Sequence, residues 1–348
     1  MKMDLDIMKL VYRQLQDEES RKIFEYRLLY SMTQDKKYID KLIEDVPEKK
    51  KLDKMIERCK ANSDAIVYYG AGNDLHILTS LYPDIEISCI CDKNHKKQKD
   101  GWRGIPVISP DELLGKKEVF IAIVTTGFHK EIKEFLLQSS IPEENIIDFG
   151  GVTEELYNKQ YFDNDVIFPK EEGVFIDGGC YDCSTSVAFI NWCKDNYRKI
   201  YGFEPDAENY KKCKDKIKYL NLENIEILNK GLWDCTEELS FIANQEQGSR
   251  IVNEDSVVEK ILVTSIDETA GDEEVTFIKL DVEGAELKAL QGAKNTILKN
   301  RPKLAISIYH KPEDIFEIPA YILSLNSDYK FFLRHYQLSE NETILYAL

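Results

Sequence analysis

Three short segments in the second half of the chain carry side chains whose types and spacing suit chemistry. Val174 to Asp182, V-F-I-D-G-G-C-Y-D, is an apolar run ending in Asp177 and the Gly178–Gly179 turn. Glycines at such a turn let a ligand approach the backbone closely. Lys199 to Asp206, K-I-Y-G-F-E-P-D, puts Glu204 at the end of a second apolar run, 25 residues past Gly179. That is near the roughly 20-residue spacing at which an acid accepts ribose hydroxyls in a nucleoside-binding unit. Phe277 to Ala293, F-I-K-L-D-V-E-G-A-E-L-K-A-L-Q-G-A, passes through Asp281, Glu283, Gly284 and Glu286 into a helix whose Leu287, Leu290 and Ile297 read as the inner face. Acids at the carboxyl ends of strands in an open α/β sheet face one crevice, so these are expected to meet Asp177 and Glu204 there. His310, just past the apolar run Leu304 to Ile308, and Glu283 are the candidates for taking a proton. Asp281, Glu283 and His310 would also suit a divalent cation, but D-x-E at a strand end is equally the pattern of a bare cofactor site, and the reading adopted has no metal. His76, His95, His129 and His335 read as structural or surface residues.

The first half has a weaker signal, V-Y-Y-G-A-G-N-D-L at Val67 to Leu75, with Asp92 22 residues past Gly70. It approximates a dinucleotide fingerprint whose third glycine is replaced by Leu75. A G-x-G turn serves packing as well as binding, so a ligand-free module that positions its neighbour is an equal reading.

The elements that must position these residues follow from the apolar pattern. Residues 1–60 read as a helical segment, with Ile23, Phe24, Arg27, Leu28 and Tyr30 at helical spacing after D-E-E-S. Residues 61–150 alternate short apolar runs with helix-length segments, the signature of parallel β/α units. Strands are expected at 66–69, 85–91, 119–124 and 146–149. A less regular linker, 151–172, leads to a longer alternating series over 173–348, with strands at 174–177, 200–203, 225–228, 239–242, 261–263, 277–280 and 304–308. Residues 329–334 and 343–346 are separated by too few residues for a parallel crossover and should pair antiparallel.

A formal charge of −17 disfavours nucleic acid as a partner. Hydrophobic content of 43% with 31% charged residues is that of a globular protein, and no apolar stretch approaches the roughly 20 residues of a membrane span. The opening M-K-M-D-L-D-I-M-K-L lacks the apolar core and cleavage site of a secretory signal, which points to the cytoplasm. The eight cysteines are scattered and read as small core residues.

From Val174 to Leu348 the chain resembles the FkbM family of S-adenosylmethionine-dependent methyltransferases. The resemblance rests on K-L-D-V-E-G-A-E at Lys279 to Glu286, Leu290 to Ala293, F-E-P-D at Phe203 to Asp206, T-S-I-D at Thr264 to Asp267, the strand ending at His310, and F-L-R-H-Y at Phe332 to Tyr336. Cys180 stands where the family commonly has Ala, and Cys183 where it usually has Gly. The resemblance implies an α/β protein with two Rossmann-like domains behind an N-terminal helical segment. The C-terminal domain would have the class I methyltransferase fold, a mostly parallel sheet closed by an antiparallel hairpin. It implies S-adenosylmethionine as cofactor, held by Asp177, Gly178, Gly179, Glu204, the Lys230, Gly231 and Leu232 turn, and Asp281, with His310 or Glu283 as base. If neutral His310 is that base, activity should fall as the pH drops through roughly 6.5. A carbohydrate or other small-molecule hydroxyl is the implied acceptor. The first domain, with G-I-P-V-I-S-P-D-E-L at Gly104 to Leu113, is similar to small domains that hold a nucleotide-sugar at the front of some sugar acyltransferases. The rival readings are a nicotinamide-dependent epimerase or dehydrogenase run by the first domain and a non-catalytic nucleotide-sugar binder.

Overall fold

The computed structural model describes residues 5–44, 46–116, 118–170, 172–242, 250–251 and 259–348. The chain forms two compact units, one of Ile39–Asn158 with Gln337–Ser339, the other of Met1–Tyr38, Lys159–Tyr336 and Glu340–Leu348. The expected 1–60 segment is therefore divided between them. Helices Leu5–Gln14 and Glu18–Thr33 belong to the larger unit, and Pro47–Lys60 to the smaller. Asp17 caps the second helix by accepting from Ser20 N, and Ile23, Phe24 and Arg27 form its buried face.

In the smaller unit five strands are all parallel: β1 (Ile66–Tyr69), β2 (Ile90–Cys91), β3 (Val107–Ile108), β4 (Phe120–Ile123) and β5 (Ile146–Asp148). Their order, β3-β2-β1-β4-β5, is a doubly wound arrangement. The strand expected at 85–91 shrinks to two residues, and β3, two residues in G-I-P-V-I-S, is too short to show a period. The helix Phe149–Tyr157, capped by Asp148 accepting from Gly151 N at 2.9 Å, belongs to this unit, so the connecting stretch starts later than position 151.

The larger unit contributes β6 (Gly173–Gly178), β7 (Tyr197–Phe203), β8 (Ile225–Leu228), β9 (Gly231–Leu232), β10 (Glu237–Ile242), β11 (Arg250–Ile251), β12 (Glu259–Thr264), β13 (Val275–Leu280), β14 (Lys303–Ser307), β15 (Phe331–His335) and β16 (Thr343–Ala347). Seven form one sheet in the order β15-β16-β14-β13-β6-β7-β8, parallel except where β16 pairs antiparallel with β14 and β15. This is the mostly parallel sheet with a terminal antiparallel hairpin that the sequence predicts. The edge strand β15 is covered by the helix Glu18–Thr33: Leu333 N donates to Ser20 Oγ at 2.9 Å and Arg334 pairs with Asp17 at 2.8 Å. Covering that edge protects it from pairing with another chain.

The strands expected at 239–242 and 261–263 do not join this sheet. They lie in a separate mixed sheet, β11-β10-β12-β9. The physical reason is legible in β10, which opens on the exposed pair Glu237 and Glu238. A central parallel strand is covered on both faces, as in β6 and β13, where every position is buried. The helix expected after Glu283 is also broken, into Glu286–Gln291 and Lys294–Asn300. At Gly292 between them, a Cβ would lie 2.1 Å from Trp233 O. Leu287 is only half-buried, whereas Glu286 is fully buried. Among the described residues, no helix is long and apolar enough to cross a membrane.

Candidate functional site

The carboxyl ends of β6, β7, β13 and β14 bring most of the expected site residues to one edge of the larger unit's sheet. Gly178 pairs with Leu280 across the β6–β13 ladder, and the chain then turns through Gly179 to Tyr181. Gly179 adopts φ +75°, and a Cβ there would sit 1.9 Å from Asp281 O, so both conformation and contact demand glycine. At Gly178 a Cβ would meet Leu280 Cδ2 at 2.7 Å and Leu232 Cδ1 at 2.8 Å. Gly231 and Leu232 are thus the buried strand β9 packed under the loop, while Lys230 is half-exposed beside it. Asp177 is fully buried. Its carboxylate accepts from Ser186 Oγ at 2.7 Å and pairs with Lys279 Nζ at 3.2 Å, so it serves the loop from behind rather than facing the crevice.

Glu204 follows β7 directly. Oε2 accepts from Tyr181 N and Oε1 from Asp206 N, both at 2.9 Å, which ties the loop to the β7 end. Burial pushes the Glu204 pKa up to about 7, against the lowering effect of those two N–H groups. Among the described residues no cation lies at ion-pair distance from it. Asp206 caps the next helix by accepting from Asn209 N at 2.9 Å.

The second cluster surrounds His310. Its Nε2 lies 3.5 Å from Asp281 Oδ1 and 3.4 Å from Glu283 Oε2, and its Nδ1 2.9 Å from Glu286 Oε1. Burial alone would lower the His310 pKa, but Glu286, Asp281 and Glu283 outweigh it and push the value up to about 10. That shift favours the imidazolium at neutral pH, whereas a base would need the neutral imidazole. His310 and the buried Lys279 hold Asp281 below the ordinary carboxylate range against the opposing effect of burial. Glu283 is the most open of the three acids, with 42% of its side chain exposed, and burial raises its pKa. Glu286 does not project into the crevice as expected. It turns inward and accepts from Val282 N at 2.9 Å and Gly284 N at 3.3 Å. Asp281, Glu286 and His310 place ligand atoms within 4.8 Å of one another, so the set geometrically suited to a cation contains Glu286 rather than the expected Glu283.

Several participants escaped the sequence reading. Tyr161, in the stretch read as a linker, donates to Asp281 Oδ2 at 2.8 Å, and Tyr309 donates to Asp281 Oδ1 at 3.3 Å. Glu342, in the turn of the terminal hairpin, is pushed up to about 7 by burial and the nearby Asp281. Lys279, within K-L-D-V-E-G-A-E, is a further participant that the motif alone does not single out. A lysine inside an otherwise apolar strand was the available signal.

Other motif residues prove architectural. Asp267 of T-S-I-D accepts from Asn295 N at 2.9 Å and from Thr296 N at 2.8 Å, starting the helix Lys294–Asn300. His335 of F-L-R-H-Y meets Thr343 Oγ at 2.9 Å. Six of the eight cysteines are buried and all are free. Cys180, Cys183 and Cys213 form a packed cluster with Ile227 beneath the loop. Cys183 adopts φ +68°, the left-handed conformation natural to glycine, so the backbone has kept a glycine's shape under a different side chain.

In the smaller unit Asp92 is occupied. Its Oδ2 accepts from Ala71 N at 2.9 Å and Lys97 Nζ at 3.1 Å, and its Oδ1 from Asn94 N at 2.9 Å. Asp74 accepts from Thr126 N at 2.7 Å, joining the turn after β1 to that after β4. Leu75, in place of a third glycine, is fully buried. His129 bridges Asp148 and Glu154, each at 3.1 Å.

Residues 177–332 match the family described as Methyltransferase FkbM domain, and residues 62–147 match one described as C2185-like, N-terminal. The larger unit thus carries an FkbM methyltransferase domain. Among solved structures, methyltransferase FkbM from Methylobacillus flagellatus is 21% identical, covers 81% of this chain and 89% of its own, and superposes with a TM-score of 0.50. A putative methyltransferase from Streptococcus mutans in complex with SAH is 15% identical over 56% of this chain and 97% of its own, with a TM-score of 0.34. An rRNA methylase from Streptococcus thermophilus is 15% identical over 53% and 90%, also with a TM-score of 0.34. No curated protein matches the chain.

Proposed function

We propose that the chain is an S-adenosylmethionine-dependent O-methyltransferase whose acceptor is a hydroxyl of a sugar, or of a polysaccharide or nucleotide-sugar precursor. The observation that carries this reading is the gathering of the Gly178–Tyr181 loop, Glu204 and the Asp281–Glu283–His310 group at adjoining strand ends, within a stretch that matches a methyltransferase domain. The residues fit the cofactor chemically. Each Glu204 oxygen accepts one backbone N–H and keeps a lone pair for a ribose hydroxyl. The Asp281 carboxylate suits a sulfonium and an amine. The bound cofactor supplies a methyl carbon already activated for displacement, which leaves the protein to align the acceptor and remove its proton.

Glu283 is the base in this reading. It is open to an incoming acceptor, and burial makes its carboxylate more basic than usual. His310 is a cation that holds Asp281 and Glu283 in place, anchored from behind by Glu286. Tyr161 and Tyr309 fix the Asp281 carboxylate. The smaller unit takes no catalytic part, and a nucleotide-sugar there would have to displace Ala71 N and Lys97 from Asp92. Eight free cysteines accord with a cytoplasmic setting.

Calorimetric titrations with S-adenosylhomocysteine, NAD and a panel of nucleotide-sugars test the reading. Binding of S-adenosylhomocysteine, with label passing from the methyl donor to sugar hydroxyls in a metabolite extract, is the expected result. Binding of NAD without S-adenosylhomocysteine would overturn it.

A further inference from the structure

Lys279 occupies the interior of the central strand β13 and is 1% exposed. An ammonium in such a place is costly unless it is fully partnered, and a methionine of similar length would fill the volume without that cost. What the ammonium touches is therefore informative. It donates to Gly179 O at 2.8 Å and Gly178 O at 3.0 Å, pairs with Asp177 Oδ1 at 3.2 Å, and lies 5.1 Å from the Tyr161 ring centre. Its three polar partners are two carbonyls that accept hydrogen bonds and the Asp177 carboxylate, which supplies the counter-charge at ion-pair distance. Two of them are the carbonyls of consecutive glycines, the residues with the greatest backbone freedom in the chain. The opposite side of the same turn is held by β7 and Glu204: Gly179 N and Cys180 N both donate to Phe203 O at 3.1 Å, and Tyr181 N donates to Glu204 Oε2 at 2.9 Å.

We infer that Lys279 is a positioning residue that braces the glycine carbonyls of the cofactor loop, that of Gly179 above all, before the ligand arrives. The inference rests on the cofactor reading above and deepens it. With Lys279 in place, both faces of the turn are ordered in the free protein. Without it the Gly179 carbonyl loses its donor while the Gly178 carbonyl keeps Asp281 N at 3.1 Å, so the ligand must order the Gly179 peptide at the expense of affinity. Asp177 is the counter-charge that makes the buried ammonium tolerable.

The test separates positioning from charge balance. Lys279→Met alone would strand the buried Asp177, so the informative protein is Asp177→Asn/Lys279→Met, which removes both charges together. The expected result is a folded protein whose S-adenosylhomocysteine Kd rises about tenfold or more. KM for the methyl donor should rise with it, while kcat at saturation stays within about threefold. Amide exchange at Gly179 to Tyr181 in the free protein should quicken, with the remaining β13 amides unchanged. A wild-type Kd in the folded double variant would overturn the inference, leaving Lys279 as nothing more than the partner of Asp177. Asp177→Asn/Lys279→Gln, which removes both charges but leaves a shorter donor on the strand, gives a second route if the methionine double variant does not fold. Weakened binding and faster loop exchange would support the inference, and unchanged affinity would overturn it. If the wild-type protein itself binds no S-adenosylhomocysteine, the cofactor reading falls and this inference with it.

Discussion

The two units each present a strand, a Gly-containing turn, a helix and an acid 22 or 25 residues further on, yet the two acids have opposite surroundings. Asp92 is covered by the Lys97 ammonium and by the backbone of its own turn. Among the described residues the Glu204 carboxylate accepts from backbone N–H groups alone; it is buried, and its pKa is pushed up to about 7. The glycines differ likewise. Nothing lies within 4 Å of a Cβ built on Gly72, whereas Gly179 is pressed against Asp281 O. Similar spacing thus yields a closed, self-satisfied turn in one unit and an unneutralised acid in the other. A ligand site is marked less by the acid than by the absence of a resident cation on it.

The comparison can be broken most severely at the acids grouped with the larger unit's loop. Glu283→Gln should lower turnover by about 100-fold or more, the scale of a lost general base, with S-adenosylhomocysteine affinity within a few-fold of wild type. Steady-state kinetics beside calorimetry checks this, and near-normal turnover would remove Glu283 as base. The wild-type rate should show no inflection near pH 6.5 from His310, because its proton is held to about 10.

The glycines give the next contrast. Gly179→Ala must satisfy both φ +75° and a 1.9 Å approach to Asp281 O, and should cost about 2 kcal/mol or more in denaturant unfolding. Gly72→Ala has open space and ordinary φ, and should change stability by less than about 0.5 kcal/mol. Equal losses would dissolve the distinction between the two turns.

Glu204→Ala should weaken S-adenosylhomocysteine binding by about 1.5 to 3 kcal/mol, the range for hydrogen bonds to a charged group, while Asp92→Ala should leave that affinity unchanged. The pH dependence sharpens the point. Ribose hydroxyls donate to the ionised carboxylate, so below its pKa of about 7 binding must expel a proton. Affinity should therefore fall roughly tenfold between pH 8 and pH 6, and Glu204→Gln should flatten that slope. A small effect is also expected for Cys183→Gly. Relief at φ +68° offsets the loss of a buried side chain, and the net change should stay within about 1 kcal/mol by thermal unfolding.

Sequence by itself determined the parts of this protein that depend on local pattern. Fully apolar runs such as Val174 to Ile176, alternating with helix-length segments, read as buried parallel strands. The terminal hairpin followed from a connection too short to cross over, and the D-G-G, F-E-P-D and D-V-E-G-A-E segments marked the strand ends where ligands gather. β3 was illegible because two residues carry no period, and although β10 and β12 were legible as strands, alternation does not say which sheet a strand joins. Tertiary structure alone decided what each charge does. Asp177, Glu286 and Lys279 sit in motifs that look ligand-facing, yet they turn inward to hold the loop and His310. Tyr161 and Glu342 enter the site from distant parts of the chain, and Tyr309 from beside His310. The physical reason is that a side chain's burial and charge partners are set by contacts remote in sequence. Those contacts separate an acid that binds a ligand from one that binds its own protein.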